Sequence, residues 1–281
     1  MAQAAGIVLA GGKSSRMGSP KAGLEWHGST LLRRVTGIVA RSVDGPVVVV
    51  SAPGQALPAL EDAVEAAADA REGRGPLQGL AAGLAAIGDR AEVAYVSSTD
   101  VPLLHPAFVQ RVVGALDDNL DVVLPEVGGY RQPLSAAYRT GLLSTVEELI
   151  AADRLRPAFL FERCRVLQMG EAGLLQDGRV ARLDPELASV RNLNEPADYE
   201  RARALPAPEI AVERFGPLAK RPAGRRQMVR AWSLGAVATA VGLALDEHIV
   251  AALNGDKITR DPELPLVSGD TVAFMVADAG G

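Results

Sequence analysis

The sequence of 281 residues holds one cysteine, Cys164, and three histidines. A single thiol cannot form an internal disulfide, and structural zinc sites normally take two or more cysteines. With so few histidines, a mechanism that depends on imidazole has few candidates. A disulfide framework and a cysteine-based metal site are therefore excluded as the basis of this protein's function.

Long apolar runs are also missing. No window reaches the roughly 18 apolar residues in succession that a membrane span needs. The N-terminal residues lack the basic segment that begins a secretory signal, and their apolar run breaks at Gly11 and Gly12. We therefore expect a cytoplasmic protein without a membrane partner.

Aromatic residues are scarce, and positive charge is not in excess. Phe, Trp and Tyr make up 4% of the chain, so the core is expected to be aliphatic. The formal net charge is −5, whereas proteins that coat nucleic acid usually carry a clear basic excess. A nucleic-acid partner is therefore not expected, although the average charge does not exclude a local phosphate site.

Residues 1–205 alternate short aliphatic runs with helical patterns. The runs, which are rich in β-branched residues, start at Gly6, Val47, Val93 and Val122. The helical segments, with apolar residues three and four apart, are 31–40, 77–87 and 106–116. This alternation predicts an α/β, Rossmann-like domain whose mostly parallel sheet is covered by helices on both faces. Ligands bind such sheets at the carboxyl ends of the strands.

A proline-rich segment at 204–208 predicts a linker between a first domain, 1–205, and a second, 206–281. In the second domain Asn254-Gly255 is a strong hairpin signal, because both residues tolerate positive φ. The expected strands are 210–214, 248–254, 257–259 and 271–276, with one short helix near 233–241. We expect a small α+β domain. Its basic residues gather between Arg214 and Arg230, as either a solvated face or a docking surface for an acidic partner.

A glycine-rich segment follows the first predicted strand directly, where residues 9–21 read LAGGKSSRMGSPK. Adjacent glycines allow a sharp turn that brings backbone N–H groups close to a ligand, and Lys13, Arg16 and Lys21 add positive charge. The segment is not a Walker A loop, since Ile7 stands where that motif needs its first glycine. The pattern indicates a loop that binds phosphate.

Asp100 follows the strand that begins at Val93, at the carboxyl edge of the predicted sheet. A carboxylate in that place can hold Mg²⁺ against the phosphates of a nucleotide. An Asp two residues before Pro102 is also a common turn residue. The glycine-rich segment earlier in the chain favours the metal-binding interpretation.

Five segments along the first domain form a set: LAGGKSSRMGSPK at 9–21, GPLQGL at 75–80, TDVP at 99–102, YRQPL at 130–134 and NLNEPAD at 192–198. They occur in the order typical of the molybdenum cofactor guanylyltransferases, and the chain resembles that family. The resemblance implies transfer of GMP from GTP to the terminal phosphate of molybdopterin, with release of pyrophosphate and with Mg²⁺ as cofactor.

The resemblance also implies roles for particular residues. Arg16 and Lys21 would offset the charge of the triphosphate, and Asp100 would hold the metal ion. GTP would be bound by Leu9, Ala10, Gly11, Gly12, Lys21, Ser51, Glu72, Gly75 and Asp100, with the two glycines donating backbone hydrogen bonds. The acceptor would be bound by Gln132, Pro133, Asn192 and Asn194.

The choice of base depends on three positions. Related cytidylyltransferases usually carry alanine in place of Gly11, and the missing methyl group leaves room for a purine. Glu72 stands where the family usually has the Asp that reads guanine, and Ser51 where it often has Asn. We expect GTP as the substrate; transfer of CMP, or transfer to a different phosphorylated acceptor, is the alternative.

Residues 250–256, VAALNGD, and 269–281, GDTVAFMVADAGG, resemble the molybdopterin synthase small subunit and the thiamine sulfur carrier. Those proteins are ubiquitin-like β-grasp domains whose terminal Gly-Gly is converted to a thiocarboxylate. The resemblance implies a sulfur carrier with Gly280 and Gly281 as its terminus. Its partners would be the large subunit of molybdopterin synthase and an adenylating or sulfurating enzyme. A protein that is chiefly a sulfur carrier or docking protein is a further alternative.

Overall fold

A computed structural model describes residues 3–11, 20–69, 73–220 and 226–277 of the chain. The chain divides into two compact units. The first is made of Met1–Glu25 and Thr30–Tyr199, and the second of Trp26–Ser29 and Glu200–Gly281. Among the described residues, no helix is both long enough and apolar enough to cross a membrane.

Short strands and helices alternate through most of the first 199 residues. The described strands are β1 (Ala4–Leu9), β2 (Glu25–Trp26), β3 (Ser29–Thr30), β4 (Val47–Ser51), β5 (Val64–Ala68), β6 (Val93–Ser98), β7 (Val122–Val127), β8 (Tyr130–Arg131), β9 (Ser135–Arg139) and β10 (Val166–Gly170). The described α-helices that begin in this part are α1 (Leu31–Ala40), α2 (Pro76–Ile87), α3 (Pro106–Gly114), α4 (Leu143–Ala151), α5 (Pro157–Phe161), α6 (Glu171–Leu175), α7 (Gly178–Leu183) and α8 (Pro196–Arg203). Short 3₁₀ turns lie at Lys21–Gly23, Thr140–Leu142 and Ala188–Val190.

The main sheet has the strand order β10-β7-β9-β6-β1-β4-β5, with β8 paired to β7. Strand β1 pairs in parallel with both β4 and β6, and β4 pairs in parallel with β5. Strand β9 runs antiparallel to its neighbours β6 and β7, and β10 is parallel to β7. The prediction of an α/β fold with a mostly parallel sheet is confirmed. The reversed strand β9 was not predicted.

Helices cover both faces of this sheet. Ile7, Val48 and Val96 lie in a buried cluster with residues of α2 and α4. On the other face Gly6 lies so close to α1 that a Cβ atom added to it would be 2.3 Å from Val39 Cγ1. Helix α2 approaches β1 equally closely, since a Cβ atom on Gly83 would lie 2.6 Å from Ile7 Cγ2. The continuous β-branched runs are therefore buried on both sides, as a parallel sheet requires.

The second unit holds its own sheet. Its remaining elements are β11 (Glu209–Arg214), a 3₁₀ helix (Gly216–Lys220), β12 (Arg226–Arg230), α9 (Leu234–Ala240), β13 (Ile249–Leu253), β14 (Lys257–Thr259) and β15 (Thr271–Val276). The strand order is β12-β11-β15-β13-β14, with β11 and β15 parallel at the centre and the other pairs antiparallel. Asn254 and Gly255 adopt φ of 54° and 87° in the turn between β13 and β14, so the predicted hairpin is present.

Strand β12 lies within the basic segment between Arg214 and Arg230, for which the sequence analysis offered two interpretations, a solvated face or a docking surface. Arg226 lies opposite Glu213 and forms an ion pair at 3.8 Å, while Arg230 lies opposite Glu209 and forms one at 3.1 Å. Opposite charges on neighbouring strands stabilise their pairing modestly. Two of the basic residues are therefore paired within the sheet.

One ion pair secures the edge strand β10. Asp121 comes just before β7, and Arg165 just before β10. Arg165 donates to Asp121 Oδ2 from its backbone N–H at 2.8 Å and from Nε at 3.1 Å, and to Oδ1 from Nη2 at 2.7 Å. These hydrogen bonds hold the pKa of Asp121 below its ordinary value.

We predict that Asp121→Asn lowers the urea midpoint of unfolding at neutral pH. A carboxylate with a lowered pKa stabilises the folded state above its unfolded pKa, near 3.8, and this stabilisation is lost as the pH falls through the folded pKa. The difference from wild type should therefore be constant from about pH 7 to about pH 5 and shrink below about pH 4. Asp118→Asn, at a fully exposed carboxylate that pairs with Arg139, is the control; an equal loss in that variant would contradict the prediction.

Candidate functional site

A cavity of about 370 Å³ opens at the edge of the main sheet where four parallel strands end. Its walls come from residues near the carboxyl ends of β1, β4, β5 and β6 and from the start of α2. Lys21 and Leu134 complete the lining. The lining residues are Leu9, Ala10, Gly11, Lys21, Val50, Ser51, Ala52, Asp69, Gly73, Gly75, Pro76, Gly79, Ser98, Thr99, Asp100 and Leu134. This is the position at which open parallel sheets bind ligands.

The turn after β1 is tied to its neighbours by backbone hydrogen bonds. The N–H groups of Ala10 and Gly11 both donate to the carbonyl of Val50, at 2.8 and 3.3 Å. A Cβ atom on Gly11 would lie 3.1 Å from the backbone nitrogen of Ala52. Glycine fits here without displacing its neighbours, because the turn passes close to the end of β4.

The sequence analysis expected other roles for Gly11, as a backbone donor to phosphate and as room for a purine. Its N–H already donates to Val50, and the place of its missing methyl group is beside Ala52. Gly11 lines the cavity, and both roles stay predictions beside this structural one. Gly12 and Arg16 lie outside the described residues.

Lys21 and Asp100 meet in the cavity wall. Lys21 Nζ lies 2.7 Å from Asp100 Oδ2, and the Ser98 hydroxyl donates to Asp100 Oδ1 at 2.6 Å. The two charged side chains are only 20% and 15% exposed, so solvent screens this pair less than a surface ion pair. The structure brings together the predicted cation and the predicted metal-binding carboxylate. A metal ion can reach Asp100 Oδ2 only by sharing it with Lys21 or displacing Lys21.

Asp69 is a cavity residue that the sequence analysis missed. It follows β5 directly, and its N–H donates to the carbonyl of Ser51 at 2.8 Å. Ser51 and Gly75, which were predicted, line the same cavity, whereas Glu72 lies outside the described residues. An acidic residue directly after a strand would have been the signal for Asp69. That strand was not recognised, because β5 reads VEAAA and alanine and glutamate have low strand propensity.

The predicted acceptor residues lie beside this cavity and not in its lining. Gln132 and Pro133 belong to the turn between β8 and β9, where the Tyr138 hydroxyl donates to the Pro133 carbonyl at 2.8 Å. Asn192 and Asn194 are exposed and flank Leu193, whose N–H donates to the Asp100 carbonyl at 2.9 Å. The second pair is thus held next to Asp100.

In the described part of the chain, no group of three or more His, Cys, Asp or Glu side chains is arranged to hold a metal ion. Asp100 is a single carboxylate on the cavity wall. Sites for Mg²⁺ often take one or two carboxylates and complete the shell with substrate phosphates and water. The residues present fit that type of site and do not form a cage built from protein ligands alone.

Comparisons with known proteins concern the first part of the chain. A family model described as a MobA-like NTP transferase domain matches residues 6–166. A molybdenum cofactor guanylyltransferase of Desulfosudis oleivorans is 33% identical over 200 residues, which cover 71% of this chain and 94% of that protein. A protein of Mycobacterium avium named "Probable molybdenum cofactor guanylyltransferase" is 40% identical over 153 residues, 53% of this chain and 76% of that protein.

A solved structure shares the fold. The molybdopterin-guanine dinucleotide biosynthesis protein A of Archaeoglobus fulgidus superposes with a TM-score of 0.53 at 23% identity. The match covers 71% of this chain and 96% of that one. The family match ends at residue 166, so residues 200–281 of the second unit lie outside it.

We predict that Gly11→Ala weakens both the fold and the cavity. The added methyl group would press on the backbone at Ala52, and overpacking of this type costs about 1 to 3 kcal/mol. We expect a lower free energy of unfolding by urea titration and a lower affinity for nucleoside triphosphate by calorimetry. Gly114→Ala, where no atom lies within 4 Å of the added Cβ, should lower neither quantity. Unchanged affinity in Gly11→Ala would contradict the close-approach role.

Proposed function

The chain belongs to the MobA-like NTP transferase family, and from this premise we propose that it transfers GMP from GTP to molybdopterin and releases pyrophosphate. The observation that carries the proposal is the cavity at the ends of four parallel strands, with the Lys21–Asp100 pair and the Asp69 carboxylate in its wall. Relatives that match 71% and 53% of this chain bear the name guanylyltransferase.

The reaction is an in-line displacement at phosphorus. An oxygen of the acceptor phosphate forms a bond to the α-phosphorus of GTP, and the bond from that phosphorus to the bridging oxygen of pyrophosphate breaks. Such a transfer depends on positioning and on neutralisation of charge, so the protein need not supply a nucleophile. Lys21 suits this role, because its ammonium group lies at the cavity wall and is partly shielded from solvent.

Asp100 is the residue that would hold Mg²⁺. The ion, when bound, neutralises charge on the phosphates and on the departing pyrophosphate. The hydrogen bond from Ser98 orients the Asp100 carboxylate, and the bond from Leu193 N–H to its carbonyl fixes its backbone. Lys21, in the same wall of the cavity, would contribute positive charge to the triphosphate.

Asp69 is suited to select the base. Guanine presents two donors on one edge, N1–H and the N2 amino group, and an ionised carboxylate only accepts hydrogen bonds. Cytosine presents the acceptors N3 and O2 at the corresponding edge, so it would be repelled. A carboxylate at the end of β5, beside Ser51, therefore favours GTP over CTP.

Pyrophosphate release tests the function and the base together. Wild type should release pyrophosphate from Mg·GTP with molybdopterin and not from Mg·CTP. Asp69→Asn should lower kcat/KM for GTP by at least about tenfold, since hydrogen bonds to charged groups are worth about 1.5 to 3 kcal/mol. Asp62→Asn, at an exposed carboxylate, is the matched control and should match wild type. Equal turnover of CTP by wild type would contradict the base assignment, and an unimpaired Asp69→Asn would remove that residue from base recognition.

For the second unit we propose a β-grasp fold that acts as a sulfur carrier in molybdopterin synthesis. The strand order β12-β11-β15-β13-β14, with helix α9 packed on the sheet, supports the fold. Gly280 and Gly281, the proposed reactive terminus, lie outside the described residues. The large subunit of molybdopterin synthase and an adenylating or sulfurating enzyme would be the partners of this unit.

Intact-chain mass spectrometry tests the carrier role. After incubation in an extract competent for sulfur transfer, the chain should gain the mass difference between one sulfur and one oxygen atom. Deletion of Gly281 should abolish this gain, because the reactive carboxylate would be displaced. Pyrophosphate release by the same variant should be unchanged, which controls for folding of the first unit. Sulfur transfer that survives the deletion would contradict the carrier role.

A further inference from the structure

The segment 184–194, here called the Asp184 strap, links the C-terminal end of α7 to the loop that carries Asp100. Asp184 is 5% exposed. Its Oδ1 accepts the N–H of Ala188 at 2.7 Å, and its Oδ2 accepts the N–H of Ser189 at 3.3 Å. One buried carboxylate thus closes the first turn of the strap.

The strap contains a strained residue. Leu187 adopts φ of 48° and ψ of 41°, a left-handed conformation that L-residues with a Cβ atom rarely take. Such a conformation persists where the surroundings hold it in place. Here the Leu187 N–H donates to the Asp184 carbonyl at 3.0 Å, and the Leu187 side chain is 4% exposed. Asp184 therefore accepts hydrogen bonds from the strained residue and from the two residues that follow it.

Two hydrogen bonds join the strap to the loop 100–105. The N–H of Leu193 donates to the Asp100 carbonyl at 2.9 Å, at the start of the loop. At its end the N–H of His105 donates to the Ser189 hydroxyl at 3.0 Å, and Ser189 is fully buried. The strap thus fixes both ends of the loop that carries the proposed metal ligand.

The buried position of Asp184 disfavours the charged form of its carboxyl group. Burial raises its pKa, while hydrogen bonds from Ser189 and from the Ala188 N–H, with the nearby His105, lower it in part. Burying a carboxylate among apolar residues costs free energy unless hydrogen bonds compensate for the lost water. The hydrogen bonds that compensate here are those that shape the strap.

We propose that Asp184 is a positioning residue for nucleotidyl transfer. Acting through Ser189 and Leu193, it holds Asp100 at the cavity wall and presents Asn192 and Asn194 to the acceptor phosphate. This inference rests on the proposed function, because it assigns Asp100 and the acceptor side their roles in that reaction. Asp184 itself does not line the nucleotide cavity.

The test compares Asp184→Ala and Asp184→Asn with Asp177→Ala. Asp177 is the matched control, since it also accepts backbone N–H groups, from Arg179 at 2.8 Å and Val180 at 3.2 Å, but at the opposite end of α7. In Asp184→Ala we expect kcat to fall at least about tenfold and KM for the acceptor to rise, because small displacements of catalytic groups lower the reaction rate strongly. KM for GTP should stay within about twofold, since the base-binding wall is not touched by the strap.

Asp184→Asn should be impaired less than Asp184→Ala, because its amide oxygen can still accept the Ala188 N–H. Asp177→Ala should match wild type, and Asp100→Asn serves as the fully impaired reference. If Asp184→Ala, assayed below its melting temperature, behaves like Asp177→Ala, the inference is wrong. If Asp184→Ala does not fold, the same comparison with Asp184→Asn decides.

Hydrogen–deuterium exchange provides a readout that does not depend on activity. Loss of Asp184 should speed exchange in 99–105 and at Leu193 while leaving α2 unchanged. An inactive wild type would contradict the proposed function, whereas unchanged exchange in 99–105 would overturn the positioning role. The two failures are therefore distinguishable.

Discussion

The candidate site depends on the shared direction of β1, β4, β5 and β6. Because these strands are parallel, the residues at which they end meet at one edge of the sheet, although they are far apart in the chain. The ion pair between Lys21 and Asp100 joins positions 79 residues apart. If β6 ran the other way, Asp100 would lie at the opposite edge of the sheet, away from Lys21 and from the ends of β1 and β4.

Much of this edge could be predicted from the sequence. The parts that were not predicted have one physical cause in common. Strands β1 and β4 are short apolar runs that are almost completely buried, so composition alone indicates them. Strand β5 lies at the edge and is alanine-rich, and β12 is half charged, so neither carries that signal. Asp69 was missed for the same reason, because its position acquires meaning only when β5 is recognised.

Gly11 has a packing role that the sequence analysis did not predict. A glycine beside a ligand loop invites an explanation through the ligand, yet the atoms nearest to its missing Cβ belong to the end of β4. The acceptor side shows the reverse case. Asn192 and Asn194 were identified by resemblance, and the structure adds the physical reason for their location, the hydrogen bond from Leu193 to the Asp100 backbone.

The contact between α2 and β1 affects how the shape of this type of cavity can change. Gly83 does not line the cavity, but it sets the distance between helix and sheet, and the first turn of the same helix forms part of the cavity wall. A bulkier residue at that position would lift the helix and widen the cavity mouth while every lining side chain stayed the same. Substitutions at packing residues can therefore change substrate preference within this fold, although these residues do not contact the ligand.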